Sequence, residues 1–323
     1  MRSFWTDKRV AVTGGAGSLS SVVVEQLRQR GCRRICVPGP YDYNLARMDG
    51  VRRLYADTSP DVVVHLQSPV GGMRLNETQA IDFCYDSFMI TRQLMEAGCR
   101  RGIEKFVVLT AMCAHSEPIP GDSRNERLSD PPRVRISEPC ELTNKMVLVQ
   151  AQAYRQRYGF NSVVLWPVNI YGPGDYFDEQ TPHVIPALIR KCVEAQERGE
   201  QCIVLPDKGL LEQEFLYVDD AAEGIVLAAG QCGGNEPMKL GSGEPITVQA
   251  LAELIAAEVG FEGDLIWDPG DFNETDRHFP DAETAKQLFC FEPRWELCEG
   301  IRRTVAWFRS NRARVGRVGR VGR

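Results

Sequence analysis

The segment Thr13-Gly14-Gly15-Ala16-Gly17-Ser18-Leu19-Ser20 is where residue type and spacing in this 323-residue chain point first to chemistry. It follows the β-branched run Arg9-Val10-Ala11-Val12 and leads into an amphipathic stretch ended by Gly31. Glycines allow a tight turn there, and the amide N–H groups at the start of the helix face outward, an arrangement that holds a diphosphate. Gly14, Gly17, Ser18 and Leu19 are the candidate cofactor-binding residues. Where a third glycine would let helix and strand pack closely, the chain has Ser20, a small residue that gives a weaker fit. The turn after the next strand, Val37-Pro38-Gly39-Pro40, offers neither an acid for a ribose hydroxyl nor an arginine for a 2′-phosphate, and Asp42 is displaced from it. The expected dinucleotide is NADP or NAD, with a hold that is either functional or vestigial.

The eleven cysteines (among them Cys32, Cys113, Cys140 and Cys298) show no C-x-x-C and no histidine spacing suited to zinc. Most are expected to be small buried hydrophobes in a reducing compartment, and no metal is expected.

These residues need a scaffold, and the first 110 residues supply one by alternating short strands with helices. Expected strands are RVAVTGG, RRICVPG, DVVVHLQ and KFVVLTAMCA; expected helices are SSVVVEQLRQRG, DGVRRLYADTSP and FMITRQLMEAGCRRG. Such alternation implies a parallel, doubly wound α/β sheet of Rossmann type. A polar stretch, Ser116 to Pro139, reads as loop and leads into the helix ELTNKMVLVQAQAYRQRYG. The remainder mixes short strands and helices into a smaller C-terminal lobe. The expected organisation is a dinucleotide-binding core over residues 1–165, the rest of the sheet with a substrate lobe over 166–312, and a disordered basic tail, 313–323, built on the repeat RVGRVGRVGR. With 43% hydrophobic and 25% charged residues and a net charge of −6, composition gives no case for nucleic acid or an anionic membrane. The N-terminus has no signal-peptide pattern and no apolar stretch approaches a membrane span, so a cytoplasmic location is expected.

Five segments carry a family resemblance: Thr13–Gly17, Val70-Gly71-Gly72-Met73, Pro167 to Asp175, His183-Val184-Ile185-Pro186-Ala187-Leu188, and Glu214 to Ala222. Through them the chain resembles the GDP-L-fucose synthases, nucleotide-sugar epimerase/reductases of the extended short-chain dehydrogenase group. The resemblance runs from Thr13 to about Trp307. It implies a reductive triad of Ser or Thr, Tyr and Lys, but the slots hold Ala111 (beside Thr110), Cys140 and Asn144. None of the nine tyrosines has a lysine four residues later, and Lys145 is turned about 100° from the slot. The diphosphate-binding arginine of the family is Gln213, and Glu274 and Asp276 flank Arg277 in the late nucleotide loop, where they would repel a diphosphate.

Two positions that the family uses for proton transfer beside the sugar ketone are kept, Cys113 and His183, with Asn169 and Tyr171 alongside. The resemblance therefore implies Cys113, His183 and the substituted Cys140 as catalytic candidates, and Asn169, Tyr171, Gln213 and Arg277 as substrate-binding candidates. A thiolate can remove a carbon-bound proton and an imidazole can return one. Three readings follow. The first is a non-redox acid–base enzyme (isomerase, epimerase, lyase or cyclase) on a small carbonyl compound. The second is an NADP-dependent GDP-4-keto-6-deoxy-sugar epimerase/reductase with substituted donors such as Cys140 or Lys145. The third is a non-catalytic protein, either a binding module acting alone or a dimer partner of an active paralogue. A homodimer through the helix from Glu141 to Tyr158 is expected from the family's mode of pairing. Asp219 and Asp220 are expected to be structural.

Overall fold

The computed structural model describes residues 3–14, 17–39, 41–66, 73–110, 138–177, 183–206, 208–234, 236–268, 286 and 288–318, with backbone alone for 73–84, 138–141 and 313–318. The strands are β1 (Arg9–Thr13), β2 (Arg34–Cys36), β3 (Val62–Leu66), β4 (Lys105–Leu109), β5 (Ser162–Pro167), β6 (Asn169–Tyr171), β7 (Cys202–Pro206), β8 (Glu212–Tyr217), β9 (Met238–Leu240), β10 (Pro245–Thr247) and β11 (Asp264–Asp268). The helices are α1 (Ser18–Gln29), α2 (Met48–Thr58), α3 (Met73–Arg101), α4 (Glu138–Tyr158), α5 (Val184–Arg198), α6 (Val218–Gln231), α7 (Val248–Val259) and α8 (Leu297–Val318).

Six strands form one sheet in the order β2-β1-β3-β4-β5-β9, and every pairing in it is parallel. This is the expected doubly wound Rossmann-type sheet. The apolar runs are explained by burial on both faces, because successive side chains of a strand go to opposite sides. Val10 and Val12, Val62 and Val64, Val107 and Leu109, and Val163 and Leu165 pack with α1 and α6. Ala11, Val63, Phe106, Val108 and Val164 pack with α2, α3 and α4 on the other face. A separate core, running from Tyr171 to Phe308, gathers α5, α7 and α8 beside β7 and β8. There β8 lies between antiparallel β10 and parallel β6, and β7 pairs in parallel with β11.

A buried ion pair ties the edge strand of the six-stranded sheet to the middle strand of the three-stranded one. Lys239 Nζ of β9 lies 2.5 Å from Glu214 Oε2 of β8, and Glu214 Oε1 accepts the Gly243 N–H at 2.7 Å. Burial of such a pair is tolerable because each charge has a hydrogen-bonding partner. Asp220 is structural, as expected: its carboxylate accepts the N–H groups of Arg294 and Trp295.

Several expectations change. The third helix begins at Met73 and not near Phe88, and the fourth strand ends at Leu109. The last helix reaches Val318, six residues into the stretch expected to be disordered. Ile301, Val305 and Phe308 dock that helix on the lobe, and an anchored helix propagates at one hydrogen bond per residue, even through weak formers such as Gly316. Of the eight cysteines whose side chains are described, Cys32, Cys192 and Cys232 are buried and Cys36 and Cys99 pack half-buried against the core, while Cys202 and Cys290 are exposed. No helix among the described residues is long and apolar enough to cross a membrane.

Candidate active site

The glycine-rich turn begins where β1 ends. Gly14 has φ of +101°, and a Cβ there would lie 1.8 Å from the Leu66 carbonyl oxygen. The turn thus passes against β3 so closely that only glycine fits. Gly17 is the N-cap of α1; a Cβ there would meet nothing within 4 Å, and the first turn of the helix has no acidic residue. The leading N–H groups of α1, at Ser18 and Leu19, carry the positive end of the helix dipole, which fits the diphosphate of a dinucleotide. Ser20, buried, donates its hydroxyl to the Gly17 carbonyl and fills the third-glycine position without blocking the turn. At the adenosine end, Asp42 Oδ2 accepts the Gly39 N–H at 2.7 Å, so this carboxylate closes its own turn.

Beneath the turn lies a histidine that the motif reading passed over. His65, 3% exposed, stands opposite Thr13 in the β1–β3 register. Its Nδ1 is 2.9 Å from Thr13 Oγ1 and its Nε2 is 3.1 Å from Thr91 Oγ1. Thr91 spends its proton on the Ser87 carbonyl, so it accepts from Nε2–H, and Nδ1 accepts from the Thr13 hydroxyl. Burial pushes this imidazole down to about 4, which keeps it neutral. The available signal was a lone polar ring inside Val62-Val63-Val64-His65-Leu66, which has to be hydrogen-bonded where it is buried.

His183 is placed quite differently. The chain leaves β6 through Gly172, Pro173 and Gly174, and the Ser18 hydroxyl at the start of α1 donates to the Pro173 carbonyl. A Cβ on Gly174, whose φ is +82°, would sit 3.3 Å from Ser18 Cβ. The loop is thus held against the first residue of α1. Asp175 follows, with Oδ1 accepting the Tyr176 N–H at 2.7 Å and facing His183 Nδ1 at 3.0 Å. His183 is the N-cap residue of α5 but its ring makes no capping bond; half its side chain is exposed. The hydrogen bond to Asp175, outweighing desolvation, raises its pKa above the ordinary imidazole value. Nδ1 is occupied, and Nε2 has no hydrogen-bond partner among the described residues.

A family model, "NAD dependent epimerase/dehydratase family", matches residues 10–241. The chain belongs to this family. It is 31% identical to "Probable GDP-L-fucose synthase 1" of Oryza sativa subsp. japonica, with 96% of this chain and 95% of that protein covered. It is 27% identical to "GDP-L-fucose synthase" of Escherichia coli strain K12, with 95% and 98% covered. Among solved structures, the GDP-L-fucose synthetase from Naegleria fowleri bound to NADP superposes with a TM-score of 0.81 at 23% identity, covering 95% and 94% of the two chains.

In this family member the positions named from sequence fall into three groups. Gly14, Gly17, Ser18, Leu19 and His183 lie on or around one junction, where the turn at the start of α1 meets the loop after β6. Asn169, Gln213 and Tyr171 lie in the smaller sheet: Asn169 Nδ2 donates to Gln213 Oε1 at 3.3 Å and to the Glu214 carbonyl at 3.1 Å. Tyr171 is buried, its hydroxyl donating to the Leu297 carbonyl at 3.2 Å and its ring edge-on to Phe215 and Tyr217. Cys113 and Arg277, with Ala111, Glu274 and Asp276, lie outside the described residues, and Cys140 is described in backbone alone, within α4. Four residues on along that helix Asn144 is buried, while Lys145 is exposed, as the 100° turn between them requires. Thr110, buried at the end of β4, has a hydroxyl with no hydrogen-bond partner among the described residues. Asp175, the partner of His183, was not singled out from sequence; an acid eight residues before a histidine announces nothing until the loop between β6 and α5 folds back.

Proposed function

We propose that this chain is an enzyme of GDP-4-keto-6-deoxy-sugar metabolism, an epimerase/reductase whose proton transfers centre on His183. The observation that carries the reading is the Asp175–His183 pair, an imidazole held at Nδ1 beside the dinucleotide turn. The names of full-length relatives in plants and bacteria support the substrate class. Cys113 takes a proton from a carbon beside the ketone as electrons move to the carbonyl oxygen. His183 returns a proton from Nε2 to the opposite face of that carbon, which inverts it. The leading N–H groups of α1 hold the diphosphate of NADP, a choice supported by a structural neighbour bound to NADP. When bound, the dinucleotide supplies hydride for reduction of the ketone. Of the two substitute proton donors, Lys145 faces solvent, which favours Cys140.

A second reading, epimerisation without reduction, is favoured by the buried Asn144 in the slot where the family carries an amine. One experiment separates the two. The protein is incubated in D2O with GDP-4-keto-6-deoxymannose, with and without NADPH, while deuterium incorporation and NADPH absorbance are followed. Deuterium at the carbons flanking the ketone, with NADPH consumed, supports the epimerase/reductase. Deuterium with no NADPH consumed supports the epimerase alone. No deuterium overturns both.

The same reading has the chain act as a homodimer through α4. Leu142, Met146 and Val149 are exposed at positions four and three residues apart, and Tyr85 of the adjoining α3 is exposed as well. Light scattering of the purified protein would give about twice the 36.2 kDa chain mass, and a monomer would remove this part of the proposal.

A further inference from the structure

We propose that Asp175 is a positioning residue for His183, fixing which ring nitrogen meets the substrate and tying that ring to the dinucleotide turn. The inference rests on the reading of His183 as a proton-transfer group.

Three features of the geometry support it. First, Asp175 Oδ1 faces Nδ1 at 3.0 Å, so the proton on that nitrogen is committed and Nε2 is left outward. Second, Asp175 is largely buried, its side chain 12% exposed, and its Oδ2 has no hydrogen-bond partner among the described residues. A carboxylate taken out of water needs a compensating charge, and His183 is the group that faces Asp175 at salt-bridge distance. Third, the backbone two residues before Asp175 accepts the Ser18 hydroxyl, so the carboxylate is fixed relative to the first turn of α1. Among the described residues no other charged group bears on this ring. Arg190, further along α5, donates to the Phe177 carbonyl and to Glu194. The arrangement matches an orienting acid behind a general acid–base histidine.

The test is Asp175→Asn in the full chain, read in two ways. In the first, the ring signals of His183, one of four histidines, are identified with His183→Gln and titrated by NMR. The expected result is that Asp175→Asn brings the His183 midpoint down toward an ordinary imidazole. In the second, the pH profile of solvent-deuterium incorporation is recorded. Its alkaline limb should move to lower pH, with kcat down about 100-fold, KM nearly unchanged and partial recovery in Asp175→Glu. Should Asp175→Asn not fold, Asp175→Glu carries both readouts, with smaller shifts expected. A His183 midpoint and alkaline limb that both stay in place overturn the assignment of Asp175 and leave His183 itself open to its own variant. A midpoint that falls while turnover is unchanged overturns the catalytic reading of His183, and this inference with it.

Discussion

His65 lies beneath the glycine turn between two threonine hydroxyls, whereas His183 stands half exposed at the start of α5 beside a carboxylate. Each ring has a partner at Nδ1, yet their titrations move in opposite directions. Burial among neutral groups drives His65 down to about 4, and the Asp175 hydrogen bond raises His183. The comparison teaches that the partner's charge, set against desolvation, decides whether a histidine is a structural strut or an acid. It also sets opposite pH dependences. Stability from the neutral His65 is fully present above the unfolded value of 6.5 and is lost as pH falls toward 4, because the unfolded state binds the proton first. Stability from the Asp175–His183 pair is fully present below the ordinary imidazole value and is lost as pH rises through the raised one.

The largest effect that could break this contrast belongs to His183. His183→Gln should lower deuterium incorporation into the keto-sugar by about 10²–10⁴-fold while the chain still unfolds cooperatively, at a melting temperature lowered by the loss of Asp175's partner, and a fully active variant would make the exposed ring a bystander. Next is the pH dependence of His65. Urea denaturation should show about 3 kcal/mol less stability at pH 4 than at pH 7 from this residue, a slope that flattens in His65→Val. If the slope survives the substitution, the buried ring is not its source. Gly14→Ala comes third: the added methyl meets the Leu66 carbonyl, one residue beyond His65, and should cost roughly 1–3 kcal/mol and weaken NADPH binding measured by fluorescence. The smallest effect sharpens the assignment of the substituted helix. Lys145→Ala should change stability by less than about 0.5 kcal/mol and leave turnover unaltered, whereas a large loss would restore lysine chemistry to α4.

The sheet could be read from the chain because β1, β3, β4 and β5 are apolar on both faces, and the glycine turn because Gly14 is required by a contact that any side chain would violate. What stayed hidden depends on distance along the chain. His65 bonds residues 52 and 26 positions away, and Asn169 bonds Gln213 and Glu214 across two strands, so neither pattern shows as a local period. The early start of α3 was missed because its first turns, Met73-Arg74-Leu75-Asn76-Glu77-Thr78, lack a strong apolar stripe but contain no helix breaker either. The substituted slots were legible by resemblance alone, and the structure adds that Asn144 is buried and Lys145 is not.

The ion pair between Glu214 and Lys239 has one more implication, for how the molecule comes apart. It clamps the strand at the rim of the large sheet to the middle strand of the small one, so separating the halves would strand two charges in an oily environment. Neither half can come loose while the other stays folded without breaking that pair.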